Sequence, residues 1–306
     1  MARDLLSLDM LRATGGVLWT AINRMFEDDA LPLAAALAYY SLLSMAPLLL
    51  VAVALAGTFF ADGQVHVQLI EQMRRLTGEA GATLTQTIIA NTGGEERSAW
   101  SLALGAFLTL LGASAVFGQL QYALNRVWRV KAAPRAALIM SFIKQRILSF
   151  ALVLSVGFLL MVSLVISAVL GTLHMYLDSR LADAAFFWSG LDLVISFTLA
   201  TVMIAMLFKY LPDAEIEWRD TWLGALLTAA LFIVGKHVIG LYLGQTTVAS
   251  SFGAAASVVI FMIWVYYAAL ILLFGAEITQ AVAERRGAII VPTENAESAP
   301  EPAAKG

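Results

Sequence analysis

The chain has 306 residues, of which 60% are hydrophobic and only 13% charged, and its mean hydropathy is +0.81. Soluble domains average about 45–50% apolar and about 25% charged residues, so this composition excludes an ordinary water-soluble protein and predicts one embedded in a bilayer. The net charge of −3 argues against a nucleic-acid-binding protein, and the absence of cysteine excludes disulfides, thiolate metal sites and cysteine nucleophiles.

Residues 1–29 predict an amphipathic cytoplasmic segment, because apolar residues recur at helical spacing among charged ones. These apolar positions are Leu8, Leu11, Leu18, Ile22 and Met25, with Trp19 and Phe26 beside them. Two alternatives stay open: a helix lying in the membrane interface, and a helix docked on the membrane domain.

Six apolar segments within residues 30–286 predict a single membrane domain. A bilayer core of about 30 Å requires roughly 20 apolar residues in a helix. The predicted spans lie near 33–56, 99–120, 147–170, 187–208, 221–243 and 256–279. The segments lack the alternation of barrel strands, and backbone groups in lipid must bond within their own segment. The predicted fold class is therefore all-α, a polytopic membrane protein with six transmembrane helices.

Two segments outside the spans have distinct compositions. Residues 57–98, between the first two spans, predict an external helical loop built of two helical pieces, the second ending at Gly93–Gly94. Residues 287–306 contain three prolines among Glu and Ala and predict a disordered cytoplasmic tail.

The distribution of Lys and Arg predicts the orientation. With six spans both termini share one side, and fourteen basic residues fall on that side against four on the other. Because basic residues concentrate in cytoplasmic loops, both termini are predicted to lie in the cytoplasm.

Lys236 is the most unusual residue, because it falls within the fifth predicted span, where an ammonium group is costly without a partner or a path to water. Asp192 falls in the fourth span, at a similar predicted depth in the outer half of the bilayer. We hold two alternatives open: Lys236 and Asp192 pair in a polar pocket, or Lys236 snorkels towards the headgroups.

Other polar residues in the spans are candidates for a substrate path. Glu277 near the end of span six lies either at the mouth of a polar path or at the interface, bonded to a neighbouring basic residue or to backbone. Pro47 is expected to kink or loosen span one, because it lacks an N–H group. Tyr40, Ser44 and Pro47 share one helical face, which either lines a cavity or lets Ser44 satisfy carbonyls that the proline leaves free.

The loop after span two carries six basic residues and no acidic one, with Trp128 among them. The six are Arg126, Arg129, Lys131, Arg135, Lys144 and Arg146. On a cytoplasmic surface such a cluster attracts anionic lipid headgroups, at about 1 kcal/mol per basic residue. The alternative is that the cluster serves only as a topology signal.

Four segments resemble the YihY/BrkB-type family of bacterial inner-membrane proteins. They are AAALAYYSLLSMAPLLLVAVALAG at 34–57, LNRVWRV at 124–130, KYLPDAEIEWRDTWLGAL at 209–226 and FGAAASVVIFMIWVYYAALILLFGAEITQA at 252–281. The positions that match the recurrent family pattern are Tyr39, Tyr40, Pro47, Trp264, Tyr267, Gly275 and Glu277. Tyr267 therefore joins the path candidates.

The resemblance implies an inner-membrane protein of six helices and no agreed catalytic residues. Members have been labelled ribonuclease BN, have been linked to envelope biogenesis, and have been proposed to move lipids. The ribonuclease label conflicts with the residues, because the short loops hold no cluster of carboxylates or histidines for divalent ions.

The expected function is therefore transport, the movement of a lipid or another amphipathic envelope component, with membrane lipids as partners and no nucleic acid. A small-solute or ion permease and a non-transporting envelope-assembly scaffold are the alternatives. No enzymatic activity, cofactor or metal is expected, and the oligomeric state stays open.

Overall fold

A computed structural model of the chain describes residues 2–57, 62–92, 99–132, 184–245, 255–293 and 296–299. These residues form seven helices and four short strands. In chain order they are α1 (Ala2–Glu27), α2 (Ala30–Gly57), α3 (Asp62–Thr92), α4 (Ala99–Val127), β1 (Val130–Ala132), α5 (Ala184–Tyr210), β2 (Ala214–Glu215), α6 (Trp218–Gln245), α7 (Ala256–Arg285), β3 (Val291–Pro292) and β4 (Ala296–Ser298). The helical class agrees with the sequence prediction, and the third predicted span, 147–170, lies outside the described residues.

Among the described residues, two helical segments are long and apolar enough to cross a membrane, namely Leu193–Tyr210 of α5 and Ala256–Arg285 of α7. A shorter apolar stretch, Ala30–Met45, begins α2. Pro47 lies within α2, which runs on to Gly57. The count of six spans stays a prediction.

The loop between the first two predicted spans differs from the expected pair of helices, because α3 is one helix from Asp62 to Thr92. No proline interrupts this segment, and glycine alone costs a helix only about 1 kcal/mol. Arg74 connects the two sides of Gly78, because its Nε donates to Glu79 Oε2 at 2.7 Å. Its Nη1 donates to Glu71 Oε2 at 2.7 Å, one turn before Arg74. The helix therefore continues where the sequence indicated a break.

The chain divides into two compact units. The first comprises Met1–Arg24, Leu124–Ile233 and Phe274–Gly306, and the second comprises Met25–Ala123 and Val234–Leu273. In the second unit α2 packs on α3, and Met45, Leu84 and Phe261 form a buried apolar cluster. Partly buried side chains from these helices surround that cluster, among them Leu42 and Ile88.

In the first unit, the tail that follows α7 pairs with two loops. Strand β4 pairs antiparallel with β1, and β3 pairs antiparallel with β2. The predicted disorder of residues 287–306 therefore does not hold for 291–293 and 296–299. Backbone hydrogen bonding to the two loops orders this segment, and apolar patterning gives no signal for such pairing. Residues 300–306 lie outside the described part of the chain.

Candidate functional site

A row of polar side chains runs along one face of α7. Glu277, Gln280 and Glu284 are spaced three and four residues apart, which places them one above another on a helix. Glu277 and Gln280 are both 0% exposed, although α7 is one of the two candidate spans. We call Glu277, Gln280 and Glu284 the polar row. An ionisable residue buried in a candidate span is a functional-site candidate, because burying it in an apolar setting is costly.

Arg24 of α1 reaches two members of the polar row. Its Nη1 donates to Gln280 Oε1 at 3.0 Å, and its Nη2 donates to Glu284 Oε2 at 2.6 Å. The guanidinium group holds its donors in a fixed fork, so one side chain fixes both acceptors. Arg24 therefore docks α1 on α7. A docked helix was one of the two alternatives that the sequence left open for residues 1–29.

The other face of α1 is exposed and apolar. Leu18, Trp19 and Ile22 are exposed, whereas Ala21, close in sequence, is fully buried. This division matches the amphipathic pattern in the sequence. The exposed stripe is what a helix lying in a membrane interface requires, so docking through Arg24 and an interfacial position are compatible.

Gln280 also carries a buried donor. Within the described part of the chain, its Nε2 makes no hydrogen bond. A buried donor left unsatisfied costs about 1–3 kcal/mol, and such groups normally bond to another protein group or to ordered water. The Gln280 Nε2 group of the polar row is therefore a donor that a polar ligand can use.

A different face of α7 packs tightly against α6. Gly224 and Thr228 of α6 oppose Thr279 and Gly275 of α7, so the two helices run antiparallel with matching Gly-x-x-x-Thr segments. A Cβ atom at either glycine would lie 1.7 Å from the opposing threonine Oγ1. Small residues at this spacing permit close backbone approach between membrane helices. We call these four residues the Gly–Thr contact.

Two further side-chain pairs tie the loops of the first unit. Asn125 Nδ2 donates to Asp213 Oδ2 at 2.8 Å, and the Asp213 backbone N–H donates to Asn125 Oδ1 at 2.7 Å. Arg286 Nη1 donates to Asp220 Oδ1 at 2.5 Å, linking the end of α7 to the start of α6. Buried polar groups are thus used in pairs around the ends of these helices.

The path candidates from the sequence fall in different places. Ser44 Oγ donates to the Ser41 carbonyl at 3.0 Å, and a Cβ atom at Gly112 of α4 would lie 2.7 Å from Ser44 Cβ. Ser44 therefore takes part in a helix contact. Tyr40 is half-buried, and its ring stacks edge-on against Tyr39 with ring centroids 5.8 Å apart.

Tyr267 also takes part in a helix contact. A Cβ atom at Gly235 would meet the phenol oxygen and ring of Tyr267, so the aromatic side chain occupies the space that this glycine leaves. Gly235 directly precedes Lys236. The side chains of Lys236, Asp192 and Pro47 lie outside the described part of the structure, so pairing and snorkelling of Lys236 both stay predictions.

Three of the six basic candidates are described. Arg126 lies in the last turn of α4, Arg129 follows with a positive φ of 53°, and Lys131 is exposed in β1. Arg135, Lys144 and Arg146 lie outside the described residues. No group of three or more potential metal ligands occurs among the residues that the structure describes.

Sequence reasoning found Glu277 but missed Gln280, Glu284 and Arg24. A signal was present, since Gln280 and Glu284 continue the face of Glu277 by three and seven residues. Arg24 carried no such signal, because its partners lie more than 250 residues further along the chain.

Comparison with known proteins places the chain. A family model described as Virulence factor BrkB matches residues 21–300. The chain belongs to the BrkB family. The resemblance found in its motifs is thereby confirmed, and the protein is a membrane protein of this family.

Curated relatives agree with the assignment to the BrkB family. A UPF0761 membrane protein of Legionella pneumophila is 29% identical over 274 residues, covering 87% of this chain and 62% of the relative. A UPF0761 membrane protein of Vibrio parahaemolyticus is 30% identical, covering 86% of this chain and 81% of the relative. The chain thus spans less than two thirds of the Legionella protein. No solved structure matches the chain.

Proposed function

We propose that the chain crosses the bacterial inner membrane six times, with both termini in the cytoplasm. Support comes from α6, which exposes apolar side chains along its length. They are Trp218, Trp222, Leu223, Leu226, Val234 and Val238. From Trp218 to Val238 the helix rises about 30 Å, which is the thickness of a bilayer core.

Aromatic side chains at the junction of α5 and α6 support a membrane boundary there. The rings of Tyr210 and Trp218 have centroids 5.8 Å apart, and those of Trp218 and Trp222 are 6.3 Å apart. Tyr210 is also the last residue of the candidate span in α5. Trp and Tyr concentrate at membrane–water interfaces, so this cluster suits the cytoplasmic headgroup level.

We infer that the protein moves a lipid or another amphipathic envelope component across this membrane, without covalent catalysis. The observation that carries the proposal is the buried polar row on a candidate span, with the Gln280 Nε2 donor available. A polar headgroup can follow such a row while its acyl chains stay in lipid. Arg24 brings a guanidinium group to this row, where it forms an ion pair with Glu284 and donates to Gln280.

The basic segment that starts at Arg126 has the complementary role. Arg126, Arg129 and Lys131 lie in the same compact unit as the polar row. We propose that this segment concentrates anionic headgroups at the cytoplasmic leaflet before they enter the path.

A second candidate, an ion or small-solute permease, is favoured by the acidity of the polar row. Glu277 and Glu284 are both carboxylic residues, and a row with two acids suits a cation or a proton better than a phosphate. The two candidates use the same residues and differ in cargo.

Reconstitution distinguishes the candidates. The purified full-length protein is reconstituted into liposomes. These liposomes contain a trace of phosphatidylglycerol labelled with a dye that dithionite bleaches. We expect bleaching to extend beyond the outer-leaflet dye, and Glu277→Gln to slow the inner-leaflet phase at least about tenfold, equivalent to about 1.4 kcal/mol. The matched control is Glu217→Gln, which makes the same change at an exposed residue of the same unit.

Two outcomes would redirect the proposal. Bleaching equal to that of protein-free liposomes would contradict lipid movement. Glu277-dependent flux of protons or small cations in the same liposomes, without lipid movement, would establish the permease instead.

A further inference from the structure

Helix α1 crosses the C-terminal end of α7 and does not run alongside it. Arg24 donates to Gln280 and Glu284, and eight residues earlier a Cβ atom at Gly16 would meet the guanidinium group of Arg285. Gly16 and Arg24 are about 12 Å apart along α1, whereas their partners span only about 7.5 Å of α7. Helices packed side by side would advance equally along both axes, so α1 lies obliquely across α7.

The two faces of α1 differ in what surrounds them. Ala21 is 0% exposed and the Arg24 side chain 13% exposed, so this face is turned towards the protein. Leu18, Trp19 and Ile22 are exposed, and at 3.6 residues per turn they fall within an arc of about 100° on the side opposite Arg24. We call Leu18, Trp19 and Ile22 the apolar stripe.

The position of α1 brings the apolar stripe to the edge of the membrane. The α7 residues that α1 contacts are among the last six of a candidate span, which ends at Arg285. A helix that crosses the end of a span lies where hydrocarbon gives way to headgroups. Tryptophan is enriched at that level, and Trp19 is 67% exposed there.

We propose that the apolar stripe of α1 is a docking surface for the cytoplasmic leaflet, with the acyl chains just below the headgroups as its partner. The proposal rests on α7 crossing the membrane, which is part of the topology proposed above. Transfer of large apolar side chains from water to hydrocarbon is favourable. A second copy of the chain fits less well, because three partly exposed side chains cover far less than the roughly 800 Å² per partner of a stable interface.

The stripe also links the leaflet to the polar row. Lipid contact on one face of α1 and the Arg24 contacts on the other stabilise the same position of one rigid helix. Two interactions that favour the same state strengthen each other by the same free energy. Seating of the stripe in lipid therefore holds the Arg24 guanidinium group on Gln280 and Glu284.

The test measures where the stripe lies in proteoliposomes of the full-length protein. The chain contains no cysteine, so a nitroxide label attaches only at a cysteine that is introduced. Trp19→Cys and Ile22→Cys place the label on the stripe. Glu297→Cys, at an exposed polar residue of the tail, is the control for water, and Ile263→Cys, at an exposed apolar residue of α7, is the control for lipid.

Collisions of the label with oxygen, which concentrates in lipid, and with a water-soluble nickel chelate give its depth. We expect both stripe labels about 5–10 Å into the boundary between headgroups and acyl chains, and the Glu297 label in water. Stripe labels in water with the Ile263 label in lipid would overturn the stripe proposal alone. An Ile263 label in water would overturn the topology on which the proposal rests. Dipolar broadening between Trp19 labels would replace lipid by a second copy as the partner.

The link to the polar row has a separate readout. Trp19→Gln combined with Ile22→Gln is expected to speed hydrogen exchange of the amides in 15–24 about tenfold in proteoliposomes, the factor for about 1.4 kcal/mol. Leu223→Gln is the matched control, since it makes the same kind of change at an exposed apolar residue of α6. Unchanged exchange in the double variant, or an equal rise with Leu223→Gln, would overturn the link.

Discussion

Gly275 of α7 lies so close to Thr228 of α6 that a methyl group at Gly275 would stand 1.7 Å from Thr228 Oγ1. The hydroxyl group is already engaged, donating to the Gly224 carbonyl of its own helix at 2.6 Å. Thr279 does the same for the Gly275 carbonyl at 2.7 Å. The Gly–Thr contact therefore fixes the spacing of α6 and α7 by shape, with its polar groups satisfied inside each helix.

Gly275→Ala is expected to destabilise the protein by about 1–3 kcal/mol, the usual cost of overpacking a tight contact. Thermal unfolding in detergent measures the loss. Adding Thr228→Ala should recover much of it, because the Thr228 hydroxyl is the nearest atom and the next lies at 3.0 Å.

Gly224→Ala makes a contrasting case. Its Cβ would lie 2.9 Å from the Gly275 carbonyl oxygen as well as 1.7 Å from Thr279 Oγ1. Removing the hydroxyl with Thr279→Ala leaves the backbone clash, so we expect little recovery. Gly190→Ala in α5 is the control, since nothing lies within 4 Å of its Cβ. Equal recovery at both glycines would contradict this geometry.

Arg24→Ala is expected to loosen α1. The change removes both hydrogen bonds to the polar row and leaves the buried Gln280 oxygen without its donor, at a cost of about 1–3 kcal/mol. Hydrogen exchange in α1 reports the loosening directly. Arg24→Lys keeps the charge but cannot hold both acceptors in a fork, so it should recover only part of the stability.

The docking role of Arg24 would be contradicted if Arg24→Ala left the hydrogen exchange of α1 unchanged. That outcome would mean that apolar packing around Ala21 alone holds the helix. Glu284→Gln separates charge from hydrogen bonding, because the amide oxygen still accepts from Arg24 Nη2.

Helical class and membrane character could be predicted from the sequence, because uncharged apolar runs have few structural solutions in lipid. Glu277 could be found for the same reason, since a carboxylate stands out in such a run. The continuity of α3 could not be predicted from the sequence, because glycine lowers helix propensity without forbidding a helix. The side-chain pairs formed by Arg74 with Glu71 and Glu79 add a small local support there.

The contacts that define the candidate site depend on tertiary structure and left weaker signals. The partners of Arg24 lie at the far end of the chain, and those of Asn125 lie 88 residues away. Strands β3 and β4 pair through backbone groups, which every residue except proline carries in full. The Pro and Glu content of residues 287–306 indicated disorder and carried no information about register.

Asn125→Asp is expected to destabilise the loop contact, because it opposes a second carboxylate to Asp213 and removes the Nδ2 donor. We expect a loss of about 1–3 kcal/mol by thermal unfolding. Adding Asp213→Asn restores one amide and one carboxylate in exchanged positions, so stability should recover. Failure of the exchange to recover stability would show that the Asp213 charge has another role.

The pairing of Arg74 with Glu79 gives α3 a pH dependence whose sign follows from the ion pair. The hydrogen bonds from Arg74 lower the pKa of Glu79, and those to Glu79 and Glu71 raise the pKa of Arg74 above its ordinary range. A carboxyl group whose pKa is lowered in the folded state stabilises that state at pH values above its pKa in the unfolded chain, which is about 4.3 for Glu. That contribution is lost as the pH falls through the folded pKa.

Glu79→Gln should therefore lower the thermal stability near neutral pH and make no difference in strong acid, where the natural carboxylate is protonated. The effect should be small, because the side chains of Arg74 and Glu79 are 44% and 73% exposed, and about 1 M salt should shrink it further. In an Arg74→Gln background the difference between Glu79 and Gln should vanish at every pH. A pH-independent difference would instead assign the effect of Glu79 to helix propensity.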